Sequence, residues 1–223
     1  MPPCIAVSSI ICASLECLRE RATVLICAGE VNMREERGKI VLRDMAQSDI
    51  DDEVRWTNTD NDWMLLDTPW LPIEKSDEAR LRDDMKTFCL MARMMPDTMR
   101  PRTEIVYDGK HVGFISSYML DKDWNEPDSS PFKKVPGGHD CIGISICEKS
   151  ARGKGIGTEA LSMYMEYLGK HGIKSVGIET SPENKAMLRV AGKLGFREVR
   201  HDKNCYERDG QHWDRLVLSC DIK

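Results

Sequence analysis

The chain has 223 residues, 41% of them hydrophobic and 31% charged, with a formal net charge of −5. That length allows one well-buried domain rather than two, and the composition is that of a folded globular protein. The acidic balance disfavours nucleic acid and favours cationic small molecules or basic peptides as partners, and no run approaches the roughly twenty apolar residues of a membrane span.

In chain order, the segment from Cys4 to Leu18 is fairly apolar but contains Glu16 and has no basic residue ahead of it, so it makes a poor signal peptide. Residues 1–38 are expected to form a poorly ordered N-terminal extension ahead of a single domain over 39–223. Lys39–Arg43 reads as a short strand. Ser48 is placed to cap a helix whose first turn carries Asp49, Asp51 and Asp52. Residues 58–72 look irregular, with Trp56, Trp63 and Trp70 and the acids Asp60, Asp62 and Asp67 in or beside them. Ser76-Asp77-Glu78 opens a second helix through Leu81, Met85, Phe88 and Met91 that must stop before Pro96. Met91, Met94, Met95 and Met99 read as core filler. Asp108-Gly109, between two apolar runs, predicts a hairpin. Residues 121–138 are a Pro-, Gly- and Asp-rich loop.

The second half is more regular. Cys141 to Cys147 alternates, with Ile142, Ile144 and Ile146 on one side and Gly143, Ser145 and Cys147 on the other. A helix over Thr158–Lys170 carries the stripe Leu161, Tyr164, Met165 and Leu168, and Gly172 ends it. Ser175–Thr180 is a strand, Asn184–Leu194 a helix closed by Gly195. A last hairpin turns at Asp209-Gly210.

The nine cysteines (Cys4, Cys12, Cys17, Cys27, Cys89, Cys141, Cys147, Cys205 and Cys220) contain no C-x-x-C pair. An odd, scattered set points to reduced thiols and a cytoplasmic protein. Neither Cys205 with His212 nor His139 with Cys141 has zinc-ligand spacing, so no metal is expected. His111, His139, His171, His201 and His212 are read as structural or solvated.

Arg152-Gly153-Lys154-Gly155-Ile156-Gly157 joins the alternating strand to the helix. A helix start presents unpaired N–H groups and a positive dipole end. Glycines let the backbone approach a ligand closely and take positive φ. Such a turn suits a pyrophosphate, and Arg152 and Lys154 add positive charge. The sequence lacks the nucleotide P-loop pattern, and its Gly-x-Gly-x-Gly spacing is wrong for a dinucleotide fingerprint.

Arg-Gly-Lys-Gly-Ile-Gly-Thr-Glu-Ala-Leu after an alternating strand resembles motif A of the GNAT superfamily of N-acetyltransferases. Glu179-Thr180-Ser181-Pro182-Glu183-Asn184, followed by Ala186, Leu188 and Lys193-Leu194-Gly195-Phe196, resembles motif B. The end of the chain resembles the subgroup that includes ribosomal-protein N-terminal acetyltransferases. The resemblance implies an α/β fold: a mixed, twisted sheet flanked by helices, with two central strands splayed apart. It implies acetyl-CoA in the opening, its pyrophosphate on the N–H groups of Gly153, Lys154, Gly155 and Gly157. The pantetheine would lie along the free edge at Ile144, Ile146 and Cys147 in the manner of an added strand, and Asn184 would touch the cofactor arm. The acceptor would be a primary amine of an aminoglycoside-like drug, a polyamine or a peptide N-terminus, with a homodimer allowed for. The alternatives are a different acyl donor or a non-catalytic CoA-binding module. In this fold Trp56, Trp63 and Trp70 could wall the acceptor pocket or anchor the core equally well.

A lysine-like amine is mostly protonated near neutral pH, so transfer needs a proton acceptor. Glu179 is the candidate, on the strand face opposite Val176 and Ile178; Asp140 and Glu148 come next. A backbone N–H near Cys147 would meet the oxyanion. The family's usual tyrosine acid aligns with Ala191 here, so the thiolate's proton would come from Tyr164, Ser181 or water.

Overall fold

The computed structural model describes residues 33–92, 100–127 and 134–222. The expectations for residues 1–32, for the side chain of Met91, for Met94, Met95 and Met99 and for the middle of the long loop lie outside the described residues.

Eight strands form one mixed sheet in the order β1-β2-β3-β4-β5-β6-β8-β7. They are β1 (Arg34–Arg37), β2 (Ile40–Arg43), β3 (Arg102–Tyr107), β4 (Lys110–Leu120), β5 (His139–Ile146), β6 (Ser175–Thr180), β7 (Arg197–Arg208) and β8 (Gln211–Asp221). The helices are α1 (Ile50–Asn58), α2 (Met64–Asp67), α3 (Glu78–Ala92), α4 (Ile156–Lys170) and α5 (Lys185–Leu194). Neighbouring strands run antiparallel except β5 and β6, which are parallel and share one register pair, Cys141 with Gly177. Past that pair the two strands part. The expected splay therefore sits between β5 and β6.

The turn chemistry explains the hairpins. Asp108 (φ 51°) and Gly109 (φ 77°), and likewise Asp209 (φ 53°) and Gly210 (φ 77°), are paired positive-φ residues of the kind tight hairpins use. One face of the sheet is covered by α4 and α5. Ile142 and Ile115 of the sheet join Leu161, Tyr164, Met165 and Leu168 of α4, with Ala191 of α5, in one core cluster. On the other face α1 and α3 bury Ile50, Val54, Met85 and Phe88 together. Trp56 and Trp63 pack there on Phe114 and Cys147.

Two expectations change. The first helix begins at Ile50 rather than after a Ser48 cap: Gln47–Asp49 is a 3-10 turn, and Asp49 spends its carboxylate on Ala46 N (2.8 Å) and on both Arg43 nitrogens. The boundary at 38 falls inside a hairpin. Arg34–Arg37 pairs with β2, a register hidden in the sequence because this polar edge strand buries none of its side chains. Met33 before it is 2% exposed and exchanges backbone contacts with Asp44: its N–H donates to the Asp44 carboxylate (2.8 Å), and its C=O accepts from Asp44 N (3.2 Å).

A chain beginning at Lys39 should therefore be less stable than one beginning at Met33. Burying a methionine contributes about 1.5–3 kcal/mol, which corresponds to a Tm drop of roughly 3–12 °C for a domain of this size. Equal melting temperatures for the two truncations would show that β1 is an ornament.

Candidate active site

The parting of β5 and β6 opens a cleft of about 280 Å³. One wall is β5 (Ile144, Ser145 and Ile146) with the loop and helix start at Ala151–Thr158; the other is the start and exposed flank of α5 (Asn184, Ala186, Met187, Arg189, Val190 and Lys193). Trp63, Leu66 and Asp67 close it from the far side of the sheet.

Gly153 has φ 73° and Gly155 φ 83°, and a Cβ built on either would meet nothing within 4 Å. The loop thus curves with its backbone bare toward open space. Gly155 caps α4, whose first bond onto that cap runs from Glu159 N to Gly155 O (3.1 Å). The N–H groups of the first turn are those that any helix leaves without an intrahelical acceptor. A Cβ on Gly157 would touch Ile144 Cδ1 and Ile146 Cγ1, both at 3.7 Å, so this glycine brings the helix down onto β5. The cradle fits a pyrophosphate: bare N–H groups, the positive end of a 15-residue helix, and space in front of them.

The expected site residues divide. Ile144, Ile146, Gly153, Gly155, Gly157 and Asn184 line the cleft. Asn184 caps α5, accepting from Met187 N (3.0 Å), and donates through Nδ2 to Leu66 O (2.6 Å). Lys154 is exposed and lies outside the cleft lining. Cys147 turns its thiol into the Trp56–Trp63–Phe114 cluster, where burial pushes its pKa well up. Arg152 lines the cleft, but its guanidinium is committed: Nε donates to Ile146 O (2.8 Å), Nη2 to Cys147 O (2.8 Å), and both terminal nitrogens grip Asp62 (2.9 Å each). It fastens the frayed end of β5 rather than reaching toward a phosphate. Arg189 and Lys193 line the cleft instead. Their i, i+4 spacing on α5 was legible in the sequence.

Glu179 lies opposite Val176 and Ile178, both of which face the core. It is not, however, an open carboxylate. Arg215 Nε donates to it (2.5 Å), and the half-buried Tyr118 hydroxyl donates to it as well. Its carboxylate is thus occupied by Arg215 and Tyr118 rather than presented to the cleft, whose lining does not include it. Glu148 is similarly held, by Arg55 and by Trp56 Nε1 (3.0 Å). Asp67, one of the three acids noted beside the tryptophans, lines the cleft; burial and then the nearby Glu179 charge raise its pKa to about 6. Tyr164 is buried in the core, its hydroxyl against Ser117 Oγ (2.8 Å) and Arg100 O (3.2 Å), and cannot serve a thiolate. Ser181 is 3% exposed and absent from the cleft lining. Of the tryptophans, Trp56 anchors the core, Trp63 walls the cleft, and Trp70 stacks on Tyr206 (4.0 Å between centroids).

Among the described residues one trio of potential metal ligands converges, Glu53, Glu104 and His111. Arg102 already sits among them, bonded to Glu53 and to Glu104 (2.6 Å), so a cation fills the place. The five described cysteines are free thiols.

A family model described as the acetyltransferase (GNAT) domain matches residues 39–197. The chain belongs to the GNAT acetyltransferase family. Solved structures share its fold at low identity. RimL, a ribosomal alpha-N-protein acetyltransferase in complex with coenzyme A, is 18% identical, with a TM-score of 0.63 over 83% of this chain and 96% of that one. A GNAT acetyltransferase from Bacillus anthracis is 16% identical, with a TM-score of 0.61 over 85% and 99%. The Salmonella typhimurium protein yncA, solved with acetyl-CoA, is 15% identical, with a TM-score of 0.58 over 83% and 95%. No curated protein matches the sequence.

If Arg152 is a fastener, Arg152→Lys should destabilise about as much as Arg152→Ala, since lysine keeps the charge but loses the fork. We expect losses of about 1–2 kcal/mol, or roughly 2–8 °C in Tm. A Lys variant that melts like the wild type would mean that the charge alone matters.

Proposed function

We propose that this protein is an acetyl-CoA-dependent N-acetyltransferase acting on a primary amine of a small molecule or of a peptide N-terminus. One observation carries the proposal: the one parallel strand pair among the described residues parts after a single register pair, and the opening faces a bare glycine loop at a helix start. An unpaired strand edge can take an amide-bearing ligand as an added strand, and the loop can take a pyrophosphate. Pantetheine-pyrophosphate supplies both in one molecule, in that order.

The N–H groups of Gly153, Lys154, Gly155 and Gly157 would hold the pyrophosphate. Arg189 and Lys193, at the exposed flank of α5, would add charge. Ile144 and Ile146 would border the pantetheine, and Asn184 the arm near the β6–α5 turn. The acyl donor supplies an activated carbonyl carbon; the protein supplies orientation and a route for protons. The structures of yncA with acetyl-CoA and RimL with coenzyme A support this use of the fold. Cationic acceptors suit the far end of the cleft, where Asp67 and Glu179 lie on the same side of the sheet as the Trp70–Tyr206 stack.

The first test is thiol release from acetyl-CoA with spermidine, kanamycin and a short serine-initiated peptide as acceptors. Amine-dependent release with one class is the expected result; binding of acetyl-CoA with no release for any amine would favour a non-catalytic module. A second test targets the cradle. Gly155→Asp places a carboxylate at the phosphate position, and acetyl-CoA affinity by calorimetry should fall at least tenfold, about 1.4 kcal/mol. Gly155→Ala is the control for the cost of a side chain at positive φ, and should lose less. Unchanged affinity in the Asp variant would move the pyrophosphate elsewhere.

A further inference from the structure

Asp67 ends α2 and faces the cleft beside Trp63, Leu66 and Ser145. The backbone around it is pinned on both sides: Leu66 O accepts from Asn184 Nδ2 (2.6 Å), while Pro69 O and Leu71 O accept from Arg208 Nη1 (3.4 and 3.1 Å). Yet among the described residues its carboxylate has neither a hydrogen-bond donor nor a cationic partner. Asp62, Glu148, Glu179 and Asp202 are by contrast engaged: Asp62 by Arg152, Glu148 by Arg55 and Trp56, Glu179 by Arg215, and Asp202 by Arg200 and Arg215. A partly buried carboxylate without a partner costs stability. Placement on a pinned loop in the cleft wall gives that cost a use.

We infer that Asp67 is the catalytic carboxylate that takes the proton from the acceptor amine. The inference rests on the acetyl-transfer proposal above. The charged groups that face Asp67 or its cleft are Glu179 from β6, with Arg215 of β8 and Tyr118 of β4 behind it; Arg152, tied to Asp62; Arg208, turned to backbone carbonyls; and Arg189 and Lys193 on the exposed flank of α5. Glu179 is the acid that acts on Asp67, and with burial it brings the carboxyl to about 6. A base in that range is charged at neutral pH yet accepts protons readily, which suits general base catalysis.

The step balances as follows. The acceptor enters as an ammonium ion, drawn by the Asp67 carboxylate, and one N–H proton passes to it. The freed lone pair forms the C–N bond at the thioester carbonyl carbon. The C–S bond breaks with its electron pair on sulfur, the second proton lost from nitrogen passes through solvent to the thiolate, and Asp67 returns its proton to solvent. The products are the amide, the free thiol and one proton.

The test compares Asp67→Asn, Glu179→Gln and wild type in two ways. The first is the pH profile of thiol release with whichever of spermidine, kanamycin or the serine-initiated peptide the wild type uses best, alongside acetyl-CoA affinity. The second needs no turnover: the carbon-13 shift of the Asp67 carboxyl followed through a pH titration. Asp67→Asn should lower kcat at pH 7 by about 10²-fold, recover partly as pH rises and free amine accumulates, and leave acetyl-CoA affinity unchanged. Glu179→Gln removes a negative neighbour, so the Asp67 midpoint and the acid limb of kcat/KM should both move to lower pH, with substantial kcat retained at pH 7. Wild-type kcat in Asp67→Asn, or a wild-type Asp67 midpoint near 4, would overturn the assignment. So would loss of kcat and flattening of the pH profile in Glu179→Gln with Asp67→Asn unaffected. A wild type that turns over none of the amines would instead contradict the acetyl-transfer proposal, with the titration still deciding how Asp67 holds its proton.

Discussion

The structure depends on a single register pair between two parallel strands. Cys141 and Gly177 meet, and beyond them β5 and β6 separate. A Cβ on Gly177 would come within 2.8 Å of Cys141 Sγ and of Trp124 Cζ3, so the junction closes only because that position has no side chain. A parting of this kind leaves backbone groups unpaired, which a protein interior tolerates only where another partner can meet them. Arg152 satisfies two carbonyls at the end of β5, and Asp62 fixes its guanidinium. What is left open is the stretch of edge that borders the cleft.

The far wall of the cleft is positioned by charge. Arg102, 3% exposed, bonds Glu53 on α1 and Glu104 beside it on β3, and its guanidinium carbon lies 3.7 Å from the centroid of the Phe114 ring. His111 joins Glu104 (2.9 Å) to Asp52 on α1 (3.2 Å). Burial works against the Glu104 charge, but Arg102 and His111 prevail and lower its pKa to about 2. Networks of this kind contribute little net stability, but removing one partner costs about 3–5 kcal/mol. Their effect here is to lock α1 to the sheet in one orientation. From that helix the chain runs directly into Trp63, whose Nε1 donates to Trp56 O (3.1 Å), and on to Asp67. The loop at the acceptor end thus inherits its position from a buried ion network on the opposite side of Phe114.

The sequence made the second half of the fold readable because its signals were local. Strict alternation placed β5, the glycine loop and the apolar stripe placed α4, and Asn184 and Gly195 bracketed α5. β6 was read with its boundaries intact. What it concealed depended on distant partners. β1 is polar on both faces and is a strand only because β2 is beside it. Arg152 looked like a phosphate ligand until the carbonyls of Ile146 and Cys147 and the carboxylate of Asp62 came within its reach. Glu179 looked like a base until Arg215, 36 positions along the chain, took its oxygen. Asp67 could not be told from Asp60 and Asp62 because burial and the absence of a partner leave no trace in a one-dimensional string.

The central claim is that the unpaired edge of β5 and the glycine loop together form the acetyl-CoA site. Amide hydrogen exchange with and without saturating acetyl-CoA tests it most directly. The account predicts new protection concentrated at Ile144–Ile146 and at Gly153–Thr158, with the antiparallel β3–β4 pair unchanged. Binding that protects a different surface and leaves those two stretches exchanging as before would contradict it.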